Sequence, residues 1–259
     1  MQTVIFHSTI FGPIHSRRLG VSLGVNLMPA DGKICSFDCL YCEAGFNAQG
    51  PGKEGVPKRE TVKRQLKRKL EQMRAAGEPL DVITFSGNGE PTLHPHFKEV
   101  VADVMRLRDS YYPDAKVSVL SNSTMAGNPR VAQALKLVDN NILKLDSAIA
   151  ATQRAINRPV SPNVLPEGVI ADLKQFSGQC IVQTMMLRGD FEGIHFDNTT
   201  DVELDALLSA YLEIQPREVM LYSIDRQTPA EHLEKVSAQE LEKIAARFRD
   251  AGIRVRVNA

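Results

Sequence analysis

Neither sign of charge is in excess: 31 Lys and Arg stand against 31 Asp and Glu in 259 residues. The chain therefore lacks the global basic field that drives nonspecific binding to nucleic acid. Long apolar runs are missing too. The stretch from Ile181 to Leu187 is among the longest, far short of the roughly 20 residues of a membrane span. The start, Met1-Gln2-Thr3-Val4-Ile5-Phe6-His7, shows no charged head, long apolar middle and small-residue cleavage site, so a soluble cytoplasmic protein is expected. Internal repeats and low-complexity tails are absent, and 43% hydrophobic residues are too many and too dispersed for a disordered chain. Cysteine is scarce at four, few enough that spacing must decide between core, disulfide and metal-ligand roles.

What is present is alternation. Strand-like runs fall at Val21–Leu27, Asp81–Ser86, Lys116–Ser121, Ile142–Asp146, Cys180–Met186, Glu218–Ser223 and Arg254–Val257. Amphipathic helical patterns lie between them at Thr61–Ala76, Pro95–Tyr111, Pro129–Val138, Pro162–Phe176, Asp201–Ile214 and Ala238–Ala251. The class is α/β, and about six strand-then-helix units fit a partial (βα)6 barrel better than a closed eight-unit one. An open doubly wound sheet is the alternative. We expect one domain over residues 1–259, with 1–20 as an N-terminal extension and 21–257 as the barrel. In either architecture ligands bind beyond the carboxyl ends of the parallel strands.

Cys35, Cys39 and Cys42 sit in such a place, after the first strand, as Cys-Ser-Phe-Asp-Cys-Leu-Tyr-Cys. Clustered thiols in a cytosolic enzyme point to metal rather than cross-links. Thiolates suit zinc or iron–sulfur clusters. Structural zinc needs four ligands, so His15 or Cys180 would have to close the site. The alternatives are a simple electron-transfer cluster, or a four-iron cluster whose fourth iron is left open. Cys180 itself reads as a small core residue.

The Cys-x3-Cys-x2-Cys pattern, with Tyr41 before its last cysteine, resembles the signature of the radical SAM superfamily. The resemblance implies a [4Fe-4S] cluster on Cys35, Cys39 and Cys42, with S-adenosylmethionine on the open iron. Reductive cleavage to a 5′-deoxyadenosyl radical and hydrogen abstraction would follow. It also implies that Gly89 and Glu90, in Gly87-Asn88-Gly89-Glu90-Pro91, bind the cofactor's amino group; Asn88 stands where the family carries glycine. Ser121 and Asn122 follow the third strand and are ribose or carboxylate candidates, or simply turn residues. Lys144 and Asp146 share one strand face. The resemblance suggests cofactor carboxylate and ribose for them, and a mutual ion pair is the plain alternative. Gln183 is a further polar candidate, and adenine should meet backbone near Tyr41 and Leu221 or Tyr222.

The segment Phe11-Gly12-Pro13-Ile14-His15-Ser16-Arg17-Arg18-Leu19-Gly20 and the later Leu221-Tyr222-Ser223-Ile224-Asp225-Arg226 resemble an Fe–S oxidoreductase branch related to tRNA wyosine-base synthases. Arg17, Arg18, Arg188, Asp225 and Arg226 are candidate substrate contacts around the mouth. The helix with Lys63, Arg64, Lys67, Arg68 and Lys69 is either a phosphate contact or a solvated face. The expected partners are a tRNA base, peptide or protein, or metabolite as substrate, and a reductant such as flavodoxin or ferredoxin. A zinc-stabilised α/β protein that binds RNA or a partner is the competing reading.

Overall fold

A computed structural model describes residues 4–16 and 20–258. In chain order its elements are β1 (Ile10–Ser16), β2 (Gly20–Val25), α1 (Arg59–Ala75), β3 (Val82–Phe85), α2 (Phe97–Tyr111), β4 (Lys116–Ser121), α3 (Pro129–Leu135) and β5 (Asn140–Lys144). There follow α4 (Ala150–Asn157), α5 (Pro166–Leu173), β6 (Ile181–Met185), β7 (Leu187–Phe191), β8 (Ile194–Asp197), α6 (Asp201–Ile214), β9 (Glu218–Tyr222), β10 (Leu233–Lys235), α7 (Ala238–Asp250) and β11 (Val255–Asn258).

One sheet runs β1-β2-β3-β4-β5-β6-β9-β11, parallel from β2 onward. Its order follows the chain and never reverses, which sets aside the doubly wound alternative. Among the described residues β1 and β11 form its two ends, so the barrel is partial.

The two-residue period of each strand explains the layers. Leu23, Val25, Ile83, Phe85, Val117, Val119, Leu143, Val182, Val219 and Leu221 face the helices and form the main core. The opposite face carries a small apolar floor of Leu120, Ile142, Ile181 and Met220 and polar pairs such as Ser22 with Thr84 at 2.9 Å. In α1, Val62, Leu66, Leu70 and Met73 are buried at helical spacing while Lys63, Arg64, Lys67 and Arg68 are exposed. The basic helix is thus a solvated face, with Lys63 and Lys67 near Asp103 and Glu71.

Three features depart from the sequence reading. Residues 10–16, expected within an extension ahead of the barrel, form its antiparallel edge strand; Gly12-Pro13 masks the strand pattern and coincides with a break in register between Phe11 and Ile14. A separate antiparallel sheet, β10-β7-β8, follows β6 almost without a break. The helix expected over Pro162–Phe176 is shorter, α5 starting only at Pro166, its first residue, and ending at Leu173, and it is preceded by α4, which the sequence pattern does not mark.

Among the described residues no helix is long and apolar enough to cross a membrane. Phe248 is fully buried, edge-on to Tyr211 at 5.3 Å between ring centroids. Phe248→Ala should lower unfolding free energy by about 3–5 kcal/mol, read from urea denaturation followed by circular dichroism.

Candidate active site

The cysteine loop leaves the carboxyl end of β2 and is gripped from two sides. On one side the Ile34 N–H donates to the Asn88 carbonyl (3.2 Å) and the Glu90 N–H to the Ile34 carbonyl (3.0 Å). The chains come so close that a Cβ on Gly89 would stand 1.9 Å from that carbonyl oxygen, and Gly89 has φ +131°. Only glycine fits there. On the other side the Asp38 N–H donates to the Asn157 carbonyl (2.9 Å), and the Leu40 N–H to that of Ile156 (3.0 Å).

Two buried amides point at the thiols. Asn122 donates to Cys35 Sγ and Asn157 to Cys39 Sγ, each at 3.5 Å. Burial pushes the Cys35 thiol up to about 12, with the nearby Glu90 charge adding to the rise. Burial likewise takes Cys39 to about 11, with Cys42 contributing. Neither Asn122 nor Asn157 is a ligand type, and Asn157 carries no sequence signal; only the fold brings it back beside the loop.

Asn88 turns out to be a clamp. Its side chain accepts from the Phe6 N–H (2.8 Å) and donates to the carbonyls of Phe6 (2.9 Å) and Pro29 (2.8 Å). Next to it, the Glu90 carboxylate is buried and accepts from the Thr92 N–H (3.1 Å), the Thr92 hydroxyl and the Asn122 N–H (2.6 Å). Burial raises its pKa, against the pull of these donors. An ammonium placed there shares a carboxylate already joined to β4. The Ser121 hydroxyl accepts from the Ser123 N–H at 3.1 Å, the turn role.

Lys144 and Asp146 form the ion pair, at 3.3 Å. Asp146 is wholly buried and also accepts from the Tyr41 hydroxyl, Asn157 Nδ2 (2.6 Å) and the Met185 N–H (2.9 Å). It does not line the cavity described below. In this arrangement the carboxylate braces the cysteine loop. Lys144 donates to the Tyr222 hydroxyl (2.6 Å) and lies 4.9 Å from the centre of the Tyr41 ring. Burial pulls its ammonium down, but Asp146 and Tyr222 outweigh it and hold the pKa above its ordinary value.

A cavity of about 220 Å³ opens on this network. Leu120, Ile142 and Met220 make its floor; Tyr41, Gln183, Met185 and Tyr222 its wall; His15, Glu43, Asp225 and Arg226 its rim. Of the two adenine-side candidates only Tyr222 qualifies, since Leu221 faces the helices. Arg226 pairs with Glu43 at 2.6 Å, joining the loop after β9 to the cysteine loop. Arg188 is no mouth residue: on β7 it pairs with Asp197 at 3.3 Å and with Glu240, which the alternation of that short sheet turns toward α7. Arg17 and Arg18 lie outside the described residues. Cys180 is fully buried just before β6, at the end remote from the loop.

Three cysteines on one loop, at the carboxyl end of a parallel partial barrel and with amides donating to two of the sulfurs, are a donor set of the kind that holds iron–sulfur clusters in enzymes. The donor set fits a multi-iron cluster, in which each thiolate takes its own iron. The model of the radical SAM superfamily matches residues 31–190, and the chain belongs to that superfamily. It is 31% identical over 242 residues to the "UPF0026 protein" of Helicobacter pylori, covering 92% of this chain and 73% of the relative.

Among solved structures, Streptococcus suis SuiB bound to S-adenosylmethionine superposes with TM-score 0.63 at 12% identity, over 91% of this chain and 50% of SuiB. The chain thus spans about half the length of that protein. A structure of TYW1 with a lysine-pyruvate adduct gives TM-score 0.63 at 14% identity, over 90% of this chain and 75% of TYW1. At such identities the likeness is one of fold. Members of the superfamily use a [4Fe-4S] cluster and S-adenosylmethionine, and the chain is an enzyme of that general mechanism.

Gly89→Ala should separate the turn from the cysteine loop. The expected result is a destabilised protein that takes up much less iron on anaerobic reconstitution than the wild type, measured by colorimetric iron assay beside a thermal melt.

Proposed function

We propose that this single-domain chain is a cytoplasmic radical SAM oxidoreductase or modifying enzyme that abstracts hydrogen from a substrate held at the cavity. The observation that carries it is the cysteine loop itself, braced by β4, β5 and α4 where the cavity opens. When bound, the cluster and S-adenosylmethionine supply reductive cleavage of the sulfonium to a 5′-deoxyadenosyl radical.

In this reading Cys35, Cys39 and Cys42 bind iron as thiolates, and at Cys35 and Cys39 iron displaces protons that burial otherwise keeps on sulfur. Gly89 and Glu90 form the side that takes the amino group, while Asn122 holds that side to the loop and Ser121 stands beside them as a ribose or carboxylate candidate. Lys144 brings a fixed positive charge beside the cavity, suited to a carboxylate. Asp146 keeps Lys144 protonated and fixes Tyr41. Gln183 offers an amide from the wall, and the apolar floor keeps the reacting centre away from water. Asp225 and Arg226 read the substrate at the rim. The substrate class stays broad: a tRNA base, a peptide or protein, or a metabolite.

Anaerobic reconstitution followed by dithionite and S-adenosylmethionine tests the reading. Formation of 5′-deoxyadenosine by the wild type and none by Cys39→Ala is expected. Uptake of zinc in place of iron would overturn it.

Removing a hydrogen bond to a cluster sulfur destabilises the reduced, more negative form. Asn122→Ala should therefore shift the midpoint potential of the reconstituted protein to a more negative value, followed by electron paramagnetic resonance during a redox titration.

A further inference from the structure

A second opening lies on the outer side of the cysteine loop. It is a groove of about 490 Å³ lined by Asp38, Asn47, Arg154, Arg158, Pro159, Val160 and Pro162, and it shares no lining residue with the substrate cavity. Backbone pairing joins its wall to the cysteine loop. The Val160 N–H donates to the Ser36 carbonyl (2.9 Å), Phe37 pairs with Pro159, and the Asp38 N–H reaches the carbonyls of Asn157 and Arg158 (2.9 and 3.1 Å). Residues 156–160 therefore run beside 36–40, and Asp38 in the groove is the chain neighbour of Cys39.

The charge on this face is one-sided. Asp38 is met by the buried Lys33 ammonium at 3.8 Å and by the Asn47 N–H at 2.6 Å. Arg154 and Arg158 have no ion-pair partner among the described residues. The Arg158 guanidinium lies 5.3 and 5.0 Å from the ring centres of Phe46 and Phe191, which keeps its charge in place without neutralising it. Val160, 66% exposed, adds apolar surface beside the two cations. A small apolar patch with a rim of one charge suits a brief, electrostatically steered encounter rather than a permanent interface.

We propose that this groove is the docking face for an acidic one-electron carrier protein, which reduces the cluster across the Ser36–Leu40 backbone. This rests on the radical SAM reading above. One electron leaves the reduced carrier and one enters the cluster; no bond is made or broken and no proton moves. The placement keeps the carrier off the cavity, so reduction and substrate binding can proceed together.

The test uses anaerobically reconstituted holoenzyme and reduced flavodoxin in a stopped-flow spectrometer, with the methyl viologen radical cation as the small reductant. Arg154→Glu and Arg158→Gln are compared with the wild type. The expected result is a fall of about tenfold or more in the rate of reduction by flavodoxin for Arg154→Glu at low ionic strength. That difference should close as salt is raised, with reduction by viologen unchanged and the far-ultraviolet spectrum native. Wild-type rates with flavodoxin in both variants would overturn the proposal, as would a wild type that flavodoxin does not reduce. Loss of bulk tRNA binding in Arg154→Glu with flavodoxin reduction intact would make the groove a nucleic-acid face instead. If no cluster assembles, or viologen cannot reduce it, the radical SAM reading fails first and this inference falls with it.

Discussion

The active end of this protein depends on one buried carboxylate. Asp146 receives Lys144, the Tyr41 hydroxyl, the Asn157 amide and the Met185 N–H, and these four groups belong to β5, the cysteine loop, α4 and β6. A buried charge without such company is costly, and removing one partner leaves the others stranded. Asp146 is therefore the point where four segments agree on their positions. Asn198 extends the arrangement by donating to the carbonyls of Asp146 and Met185 at 2.8 and 2.7 Å, which ties the start of α6 to the same centre.

The opposite side of the loop is fixed by different means. There close backbone approach excludes any side chain at Gly89, and Asn88 binds Phe6 and Pro29 through every polar atom of its amide. Asparagine in place of glycine changes how the turn is held rather than whether it is held. Its amide does from one position what a second glycine cannot, because it links the turn to the segment before β1.

The strands and most helices were legible because apolar residues recur with period two or three to four wherever the parallel sheet meets its cover. The cysteine spacing was legible because it is local. Less was visible where partners lie far apart in the chain. No pattern marks Asn157 or Asn198 as site residues, and nothing local distinguishes a Lys144–Asp146 pair facing a ligand from one facing its own loop. Arg188 misled because a strand that turns into a second sheet changes which way its side chains point. The edge strand β1 was hidden by Gly12-Pro13, and the β10-β7-β8 sheet by the shortness of its members.

Sequence separation carries one further consequence. The thiols are made early, but Tyr41 meets Asp146 across 105 residues and Cys39 meets Asn157 across 118. During synthesis the nascent loop leaves the ribosome long before its braces exist, with its cysteines open to oxidation and to stray metal ions. Because long-range contacts of this kind form late, the pocket for the cluster matures only after most of the barrel has been translated. A product truncated before Asp146 would carry the three cysteines without Asp146 or Asn157 to brace their loop.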